Sequence, residues 1–301
     1  ITFDGLRFGL ELECGGVHRA RVARAIQQVV GGYLHEASTV VAADGRWWRV
    51  VPDASLKNWP PDLRCEVVSP ILQYDDLPLL QAVVRAVRKA GATVDERCAI
   101  HIHVDAALFT GKQLCTLAKL VYQQEELLYA ALGISEERAE RYAKPTDPAF
   151  IRLLEQRRPA TLGAMNRLWY GQHEAQPTHF HPTRYRGVNF HAIWDKGTVE
   201  FRWFESTLHA GKVKAYVQFI LALVTKARTA RAATSRRRTF NPACARYDWR
   251  VFLLRLGLIG PEFKTARKFL LALLLGDAAF KHGRPKGDKA DRKSTRLNSS
   301  H

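Results

Sequence analysis

The stretch Phe8–Glu13 (FGLELE) alternates apolar and acidic residues with a period of two. In a β-strand, side chains at positions i and i+2 point to the same face. Leu10 and Leu12 therefore face a core, while Glu11 and Glu13 project together from the other face. Taken alone, the pattern also fits a strand whose polar side faces solvent. Its meaning depends on what lies beside this strand.

Two later stretches repeat the alternation with other ionisable groups. In Ala99–Asp105 (AIHIHVD) one face carries two histidines and an aspartate, and in Thr198–Phe204 (TVEFRWF) one face carries a glutamate and an arginine. The side chains on these two faces are His101, His103, Asp105, Glu200 and Arg202. If the three strands lie in one sheet, their polar faces line a common surface.

Carboxylates gathered on such a surface repel one another unless one is protonated or a cation lies between them. Glu66, in Cys65–Pro70 (CEVVSP), adds a further carboxylate on a strand that ends at a proline. Carboxylate oxygens with an occasional imidazole suit Mg²⁺ or Mn²⁺, and ligand type alone also permits Zn²⁺. The arginines can hold a phosphate group bidentately.

The remaining pattern predicts an α+β fold with a curved antiparallel sheet, flanking helices and a helical C-terminal region. Strands are predicted at 7–13, 47–51, 64–69, 99–105, 184–193 and 198–204, and the last two are joined as a hairpin through Asp195–Gly197. Apolar residues at helical spacing predict helices at 17–30, 77–90, 111–132, 147–157, 161–170, 209–230, 249–256 and 262–275.

The positive charge is concentrated at one end of the chain. Residues 209–301 carry 21 Lys and Arg against 5 Asp and Glu, whereas residues 1–208 carry 25 against 24. We therefore expect a catalytic domain over residues 1–230, close to neutral up to residue 208, and a basic helical extension over residues 231–280. The basic C-terminal region is compatible with contact to nucleic acid, whereas the acidic sheet face disfavours it.

The tail over residues 281–301 is charged and aperiodic, which predicts disorder. From Arg292 onward it resembles a translated sequencing adapter, so it is left out of the fold prediction. The five cysteines never form a C-x-x-C pair, which indicates buried free thiols in a reducing, cytoplasmic setting. No apolar stretch is long enough to predict a membrane span.

Two other features have simpler interpretations. The loop with His173, His179 and His181 can bind metal, but a structural role is the better interpretation of histidines in a loop. Arg236–Arg238 fits a solvated linker, with a phosphate-rich partner as the alternative. The chain has no phosphate-binding P-loop, dinucleotide fingerprint, serine elbow or zinc-protease helix, so any ATP site must use a sheet-and-metal cradle.

The ordered set of motifs resembles the amidoligase family, a branch of the carboxylate–amine ligases that includes glutamine synthetase and glutamate–cysteine ligase. The resemblance covers roughly residues 3–225. The motifs that carry it are Phe8–Glu13, Asp53–Ser55, Glu66–Pro70, His101–Asp105, Arg141–Pro145, Arg186–Asn189, Thr198–Arg202 and Ser206–Leu208.

This resemblance implies a site on the concave face of a partial barrel, using ATP and Mg²⁺ or Mn²⁺. It implies that ATP converts a carboxylate into an acyl phosphate, which an amine then attacks. The implied metal ligands are Glu11, Glu13, Glu66, His101 and Glu200. The implied nucleotide-binding residues are His103, Arg202 and Lys144, and the implied catalytic residues are Arg186, Arg202 and Glu66.

The sequence departs from the family pattern at two loop positions. Ala54 and Ser206 stand where the family usually has glycine. The alternatives to a ligase are another phosphoryl-transfer enzyme or a metal-dependent hydrolase on the same sheet, or a basic nucleic-acid-binding module. The expected substrates are small-molecule or peptide carboxylates and amines, and the resemblance is compatible with an oligomer.

Overall fold

The computed structural model describes residues 1–283, which form an open eight-stranded sheet with flanking helices. In chain order the strands are β1 (Phe8–Gly15), β2 (Tyr33–His35), β3 (Thr39–Val41), β4 (Trp47–Val51), β5 (Arg64–Val68), β6 (Ala99–Asp105), β7 (Val188–Asn189) and β8 (Thr198–Glu205). Their order across the sheet is β2-β3-β4-β5-β1-β6-β8-β7, and every neighbouring pair is antiparallel. The predicted α+β class is confirmed.

Most of the helices come in two runs, one between β6 and β7 and one after β8. In chain order they are α1 (Arg19–Val30), α2 (Leu77–Lys89), α3 (Gly111–Leu132), α4 (Glu136–Arg141), α5 (Pro148–Arg157), α6 (Leu162–Tyr170), α7 (Ala192–Asp195), α8 (Ala210–Thr229), α9 (Ala245–Arg255) and α10 (Lys264–Leu270).

The apolar face of the sheet and the inner faces of the helices form one hydrophobic core. Leu10 and Leu12 of β1 are buried there, together with Val22 and Ile26 of α1. Helix α1 packs against β3 and β4, α2 packs against α1 and α8, and α3 packs against α8 and β8. Burial of this apolar area supplies the main favourable free energy of folding. The ionisable side chains of the strands are thereby directed to the opposite, polar face.

The amphipathic segments are found close to where the alternation and the helical spacing predict them. The bounds of β4, β6 and α3 match the sequence prediction, and α1, α2, α5, α6 and α8 differ from it by one or two residues at an end. The elements that the pattern missed are β2, β3 and α4. Each is only three to six residues long, which is too short to display a period.

The predicted hairpin turn before β8 is wrong. Of the predicted strand over residues 184–193, only Val188 and Asn189 pair with β8, and this pairing is antiparallel as predicted. The chain then forms the single helical turn α7 instead of an extended strand. Backbone N–H groups of residues 193–196 donate to carbonyls three or four residues earlier, which satisfies this segment locally. The apolar run that suggested a strand reflects burial of Phe190, Ala192 and Ile193.

The basic segment after α8 is not a free linker. The Arg237 guanidinium lies 3.0 Å from a carboxylate oxygen of the buried Glu125 and 4.3 Å from the ring centroid of Tyr122, both on α3. The Arg238 N–H donates to the carbonyl of Gln123. The interpretation of Arg236–Arg238 as a solvated linker is therefore corrected, at least for Arg237.

The helices after residue 230 share the core of the rest of the chain, since α10 packs against α8 and α9 against α3. The division at residue 230 stays a prediction. The tail predicted to be disordered falls almost entirely beyond residue 283, outside the described residues.

The five cysteines are all free and buried, as predicted. Within residues 1–283, no helix combines the length and the apolar character needed to cross a bilayer.

Gly32 provides a test of the close approach between the end of α1 and β3. Its φ is +76°, and a Cβ atom there would lie 1.9 Å from the carbonyl oxygen of Val41. Gly45 has a similar φ of +82° but has open space around the same position. We expect Gly32→Ala to lower the free energy of unfolding clearly more than Gly45→Ala, which should cost only about 1 kcal/mol of backbone strain.

Urea unfolding followed by circular dichroism measures this difference. Equal losses in the two variants would mean that the chain does not approach Gly32 as closely as described.

Candidate active site

Strand register brings the predicted ionisable residues together on the polar face. Strand β1 lies between β5 and β6, and β8 lies on the other side of β6. Glu11 is directly opposite His101 in the β1–β6 pair, and His103 is directly opposite Glu200 in the β6–β8 pair. The alternation of each strand determined the face, and the register determines which groups meet. We call Glu11, His101, His103 and Glu200 the carboxylate–histidine cluster.

Three of the four side chains, those of Glu11, His103 and Glu200, bring ligand atoms close enough to share one ion. His101 Nδ1 lies 3.3 Å from Glu11 Oε2 and 3.6 Å from Glu200 Oε1. His103 Nε2 lies 3.3 Å from Glu11 Oε1 and 3.6 Å from Glu200 Oε1. One ligand atom each from Glu11, His103 and Glu200 lie within 4.8 Å of one another. Among residues 1–283, no other group of three or more His, Cys, Asp or Glu residues brings its ligand atoms within that distance.

The two rings of His103 and His101 differ in their hydrogen bonding. His103 Nδ1 is hydrogen-bonded to Thr198 Oγ1 at 2.8 Å, while its buried Nε2 makes no hydrogen bond with correct geometry among the described residues. A ring held through Nδ1 with Nε2 aimed at carboxylates is the arrangement of a metal-ligating histidine. Burial and the neighbouring Arg202 lower the pKa of His101 to about 4, so its imidazole is neutral at pH 7.

Glu200 is held on two sides and stays ionised. Arg202 Nη1 donates to its Oε1 at 2.8 Å, and Asn189 Nδ2 donates to its Oε2 at 2.5 Å. Although burial acts to raise its pKa, the charge of Arg202, with the two histidines, lowers it. Arg202 also donates through Nε to the carbonyl of Tyr142, which fixes the plane of the guanidinium. The carboxylate is therefore oriented before any ligand arrives.

Lys196 is a functional candidate that the sequence did not reveal. Its Nζ donates to Glu11 Oε1 at 3.0 Å. Burial acts against its charge, but Glu11 and Glu200 raise its pKa, so it carries a positive charge beside the cluster. For Glu11 itself, burial acts to raise the pKa, and the nearby imidazoles of His101 and His103 lower it. The sequence placed Lys196 in a turn, where a lysine gives no functional signal.

Glu13 and Glu66 form a second acidic pair, one step further along β1. They are directly opposite each other in the β1–β5 register. Burial and the charge of Asp53 raise the pKa of Glu13 to about 8, although its Oε2 accepts the N–H of Ala99 at 2.7 Å. Burial, Glu11 and Asp53 raise the pKa of Glu66 to about 8. Because both pKa values lie above 7, these two carboxyl groups are largely protonated at neutral pH, which limits their repulsion with Glu11.

The predicted residues Arg186 and Lys144 lie apart from the carboxylate–histidine cluster. Arg186 Nη1 donates to the carbonyl of Pro145 at 2.6 Å, and its Nη2 lies 3.7 Å from Asp147. Lys144 is exposed, and its backbone pairs with that of Arg186. Their proposed contacts with nucleotide or substrate stay predictions.

The histidine-rich loop has structural partners. His179 Nδ1 lies 2.7 Å from Asp195 Oδ2, and His181 is hydrogen-bonded to Thr183 and stacks on His191. Among the described residues, His173, His179 and His181 belong to no group that could hold a metal ion.

Ser206, one of the departures from the family pattern, donates its hydroxyl to the carbonyl of Glu13 at 2.6 Å. It therefore ties the end of β8 to β1.

The donor set fits a divalent cation. Two carboxylates and an imidazole nitrogen converge, one imidazole nitrogen has no other hydrogen-bonding partner, and further carboxylates lie beside them. Oxygen-rich ligand sets of this kind suit Mg²⁺ and Mn²⁺. Glu11, His103 and Glu200 would hold the ion. Of the ligands that the family resemblance implies, this group includes Glu11 and Glu200, and it contains His103, expected at the nucleotide, in place of His101. The roles of His101, Glu13 and Glu66 as metal ligands stay predictions.

The comparison with protein families agrees with the position of this site. The family model described as "Putative amidoligase enzyme" matches residues 4–224, a segment that contains all eight strands and most of α8. No curated protein sequence matches the chain. Since the family match covers well over half of the sequence and includes every residue of the carboxylate–histidine cluster, the chain belongs to the amidoligase family.

Proposed function

We propose that this protein is an ATP-dependent ligase that joins a carboxylate to an amine, with Mg²⁺ or Mn²⁺ held by the carboxylate–histidine cluster. One observation carries the proposal. Ligand atoms of Glu11, His103 and Glu200 converge within 4.8 Å on a largely buried face, and His103 Nε2 has no hydrogen bond there. Family membership supports amide-bond formation, whereas the nucleotide and the metal are part of the proposal.

The proposed reaction has two steps. An oxygen of the substrate carboxylate attacks the γ-phosphorus of ATP, and ADP leaves, giving an acyl phosphate. The amine nitrogen then attacks the acyl carbon, the C–O bond to phosphate breaks, and the nitrogen loses a proton. Phosphoryl transfer of this kind needs positioning and charge neutralisation more than covalent help from the protein. A bound divalent cation would supply Lewis-acid neutralisation of the phosphate oxygens.

The residues of the chain would supply the positioning. Arg202 and Asn189 hold Glu200 in a single orientation, so a cation ligand need not reorganise. Lys196 is free to exchange its contact with Glu11 for a contact with an anionic substrate group, since its side chain is only partly buried. Arg186 and Lys144 are the proposed contacts for the phosphates or the substrate carboxylate.

Calorimetric titration tests the cation site directly. We expect the wild-type protein to bind a non-hydrolysable ATP analogue only in the presence of Mg²⁺ or Mn²⁺. Glu200→Gln should weaken Mn²⁺ binding at least about tenfold, because it removes a charged ligand that is buried and already oriented. Glu205→Gln is the matched control, since it makes the same change at the end of the same strand.

Equal metal affinity in the two variants would contradict the assignment of Glu200. A folded protein that binds neither metal nor nucleotide would contradict the ligase proposal, and nucleotide hydrolysis without any need for an amine would favour a hydrolase on the same sheet.

The acidic pair predicts how the metal-free protein responds to pH. A carboxyl group whose folded pKa is about 8, as for Glu13, binds a proton in the folded state that the unfolded state releases near pH 4.5. Its contribution to stability therefore falls as pH rises from about 4.5 to about 8. The buried neutral His101 has the opposite sign, but its effect is complete above pH 6.5. Between about pH 6.5 and 8.5 we expect a net loss of stability.

Urea unfolding in chelator-containing buffer measures that loss. Glu13→Gln should be more stable than wild type at about pH 8.5, by on the order of 1–2 kcal/mol, and should show a flatter pH profile. Addition of Mn²⁺ should raise the free energy of unfolding of the wild-type protein at that pH. A wild-type profile as flat as that of Glu13→Gln would contradict the raised pKa.

A further inference from the structure

Helices α1 and α2 lie side by side and enclose a basic groove on the outer surface of the protein. Arg21 and Arg24 lie one turn apart on α1, and Arg85 and Lys89 lie one turn apart on α2. All four side chains are exposed. Residues three or four positions apart share one face of a helix, so each helix presents a cationic ridge to the groove. We call this feature the α1–α2 groove.

The floor of the groove is apolar and made of small residues. It contains Ala25 and Val29 from α1 and Ala82 and Ala86 from α2. The space between the ridges is about 560 Å³, which is the size of several amino-acid side chains. The short floor side chains let an occupant approach the helix backbones closely. The groove therefore offers apolar contact at its centre and positive charge along both rims.

The cations of the groove have no acidic partners among residues 1–283. Neither helix contains an aspartate or glutamate, and Arg21, Arg24, Arg85 and Lys89 make no ion pair or side-chain hydrogen bond within that part of the chain. Nearby arginines behave differently, since Arg19 donates to two backbone carbonyls and Arg46 pairs with two aspartates. Like charges facing each other across a groove repel, and an anionic occupant would relieve that repulsion.

The groove faces away from the carboxylate–histidine cluster. The buried sides of the two helices, including Ile26 and Val84, contribute to the core beneath the apolar face of the sheet. Glu11 and Glu200 project from the other face. A molecule in the α1–α2 groove is therefore separated from the proposed active site by the thickness of the sheet, and it is not the substrate of that site.

We propose that the α1–α2 groove is a docking site for an acidic, amphipathic segment of a partner protein. Carboxylates on such a segment would pair with the two ridges, and its apolar side chains would cover the alanine floor. A nucleic-acid backbone would match the ridges but would leave the apolar floor against water, which makes the peptide the better fit. This docking function is separate from the proposed ligase reaction and does not depend on it.

Fluorescence anisotropy of the full chain tests the proposal with three labelled probes of equal charge. The probes are a helical-pattern peptide of Glu and Leu, an oligoglutamate, and a single-stranded DNA oligonucleotide. We expect the Glu–Leu peptide to bind most tightly. The double variant Arg24→Glu/Arg85→Glu should weaken its binding at least about tenfold, since it replaces attraction with repulsion on both rims.

Two further variants distinguish the groove from general positive charge. Arg152→Glu/Arg157→Glu changes the net charge equally on exposed positions of α5 and should leave binding within about twofold. Ala86→Gln makes the floor polar and should weaken the Glu–Leu peptide more than the oligoglutamate. Circular dichroism confirms that each variant is folded.

Three outcomes would overturn the proposal. One is an equal loss of binding in the two charge-reversal pairs, which would mean that only net charge matters. Another is tighter binding of the oligonucleotide than of the Glu–Leu peptide with no effect of Ala86→Gln, which would mark a nucleic-acid surface. The third is the absence of measurable peptide binding to the folded wild-type protein.

Discussion

The constraint on which the structure depends is the burial of two carboxylates and two imidazoles at contact distance on one face of a sheet. Glu11 and Glu200 stay ionised there only because other groups compensate their charge. Arg202 and Asn189 hold Glu200, and Lys196 lies on Glu11. The strand order β1-β6-β8 brings these groups together, because it places the two histidines of β6 between Glu11 of β1 and Glu200 of β8. The apolar core behind the sheet supplies the rigidity that keeps them there.

The fold and the membership of the site were largely predictable from alternation. A period of two identifies the face on which Glu11, His101, His103 and Glu200 project, and it did so without any structure. It does not identify register, so the sequence could not show that His103 lies opposite Glu200 or that Glu13 lies opposite Glu66. Register depends on pairing between distant segments, 53 residues apart for Glu13 and Glu66 and 97 for His103 and Glu200, and local pattern carries no information about it.

The features that sequence analysis missed share a physical cause, which is that their identity depends on a distant partner. From the sequence alone Lys196 is a lysine in a turn, and only the structure shows that it contacts Glu11. From the sequence alone Arg237 is a solvated cation, and only the structure shows that it contacts Glu125 and Tyr122. The apolar run before β8 has the composition of a strand although it forms a helical turn, because buried segments and strands are rich in the same residue types.

The position of β1 in the sheet has a consequence for when the carboxylate–histidine cluster is complete. Among the described strands β1 is synthesised first, yet the groups that meet Glu11 are separated from it by 90 residues at His101 and by 185 residues at Lys196. Closing such long loops is entropically costly and makes folding slow. During translation, Glu11 of β1 lacks its partners on β6 and β8 until both of these strands have been synthesised. The carboxylate–histidine cluster is therefore complete only after β8 has been synthesised.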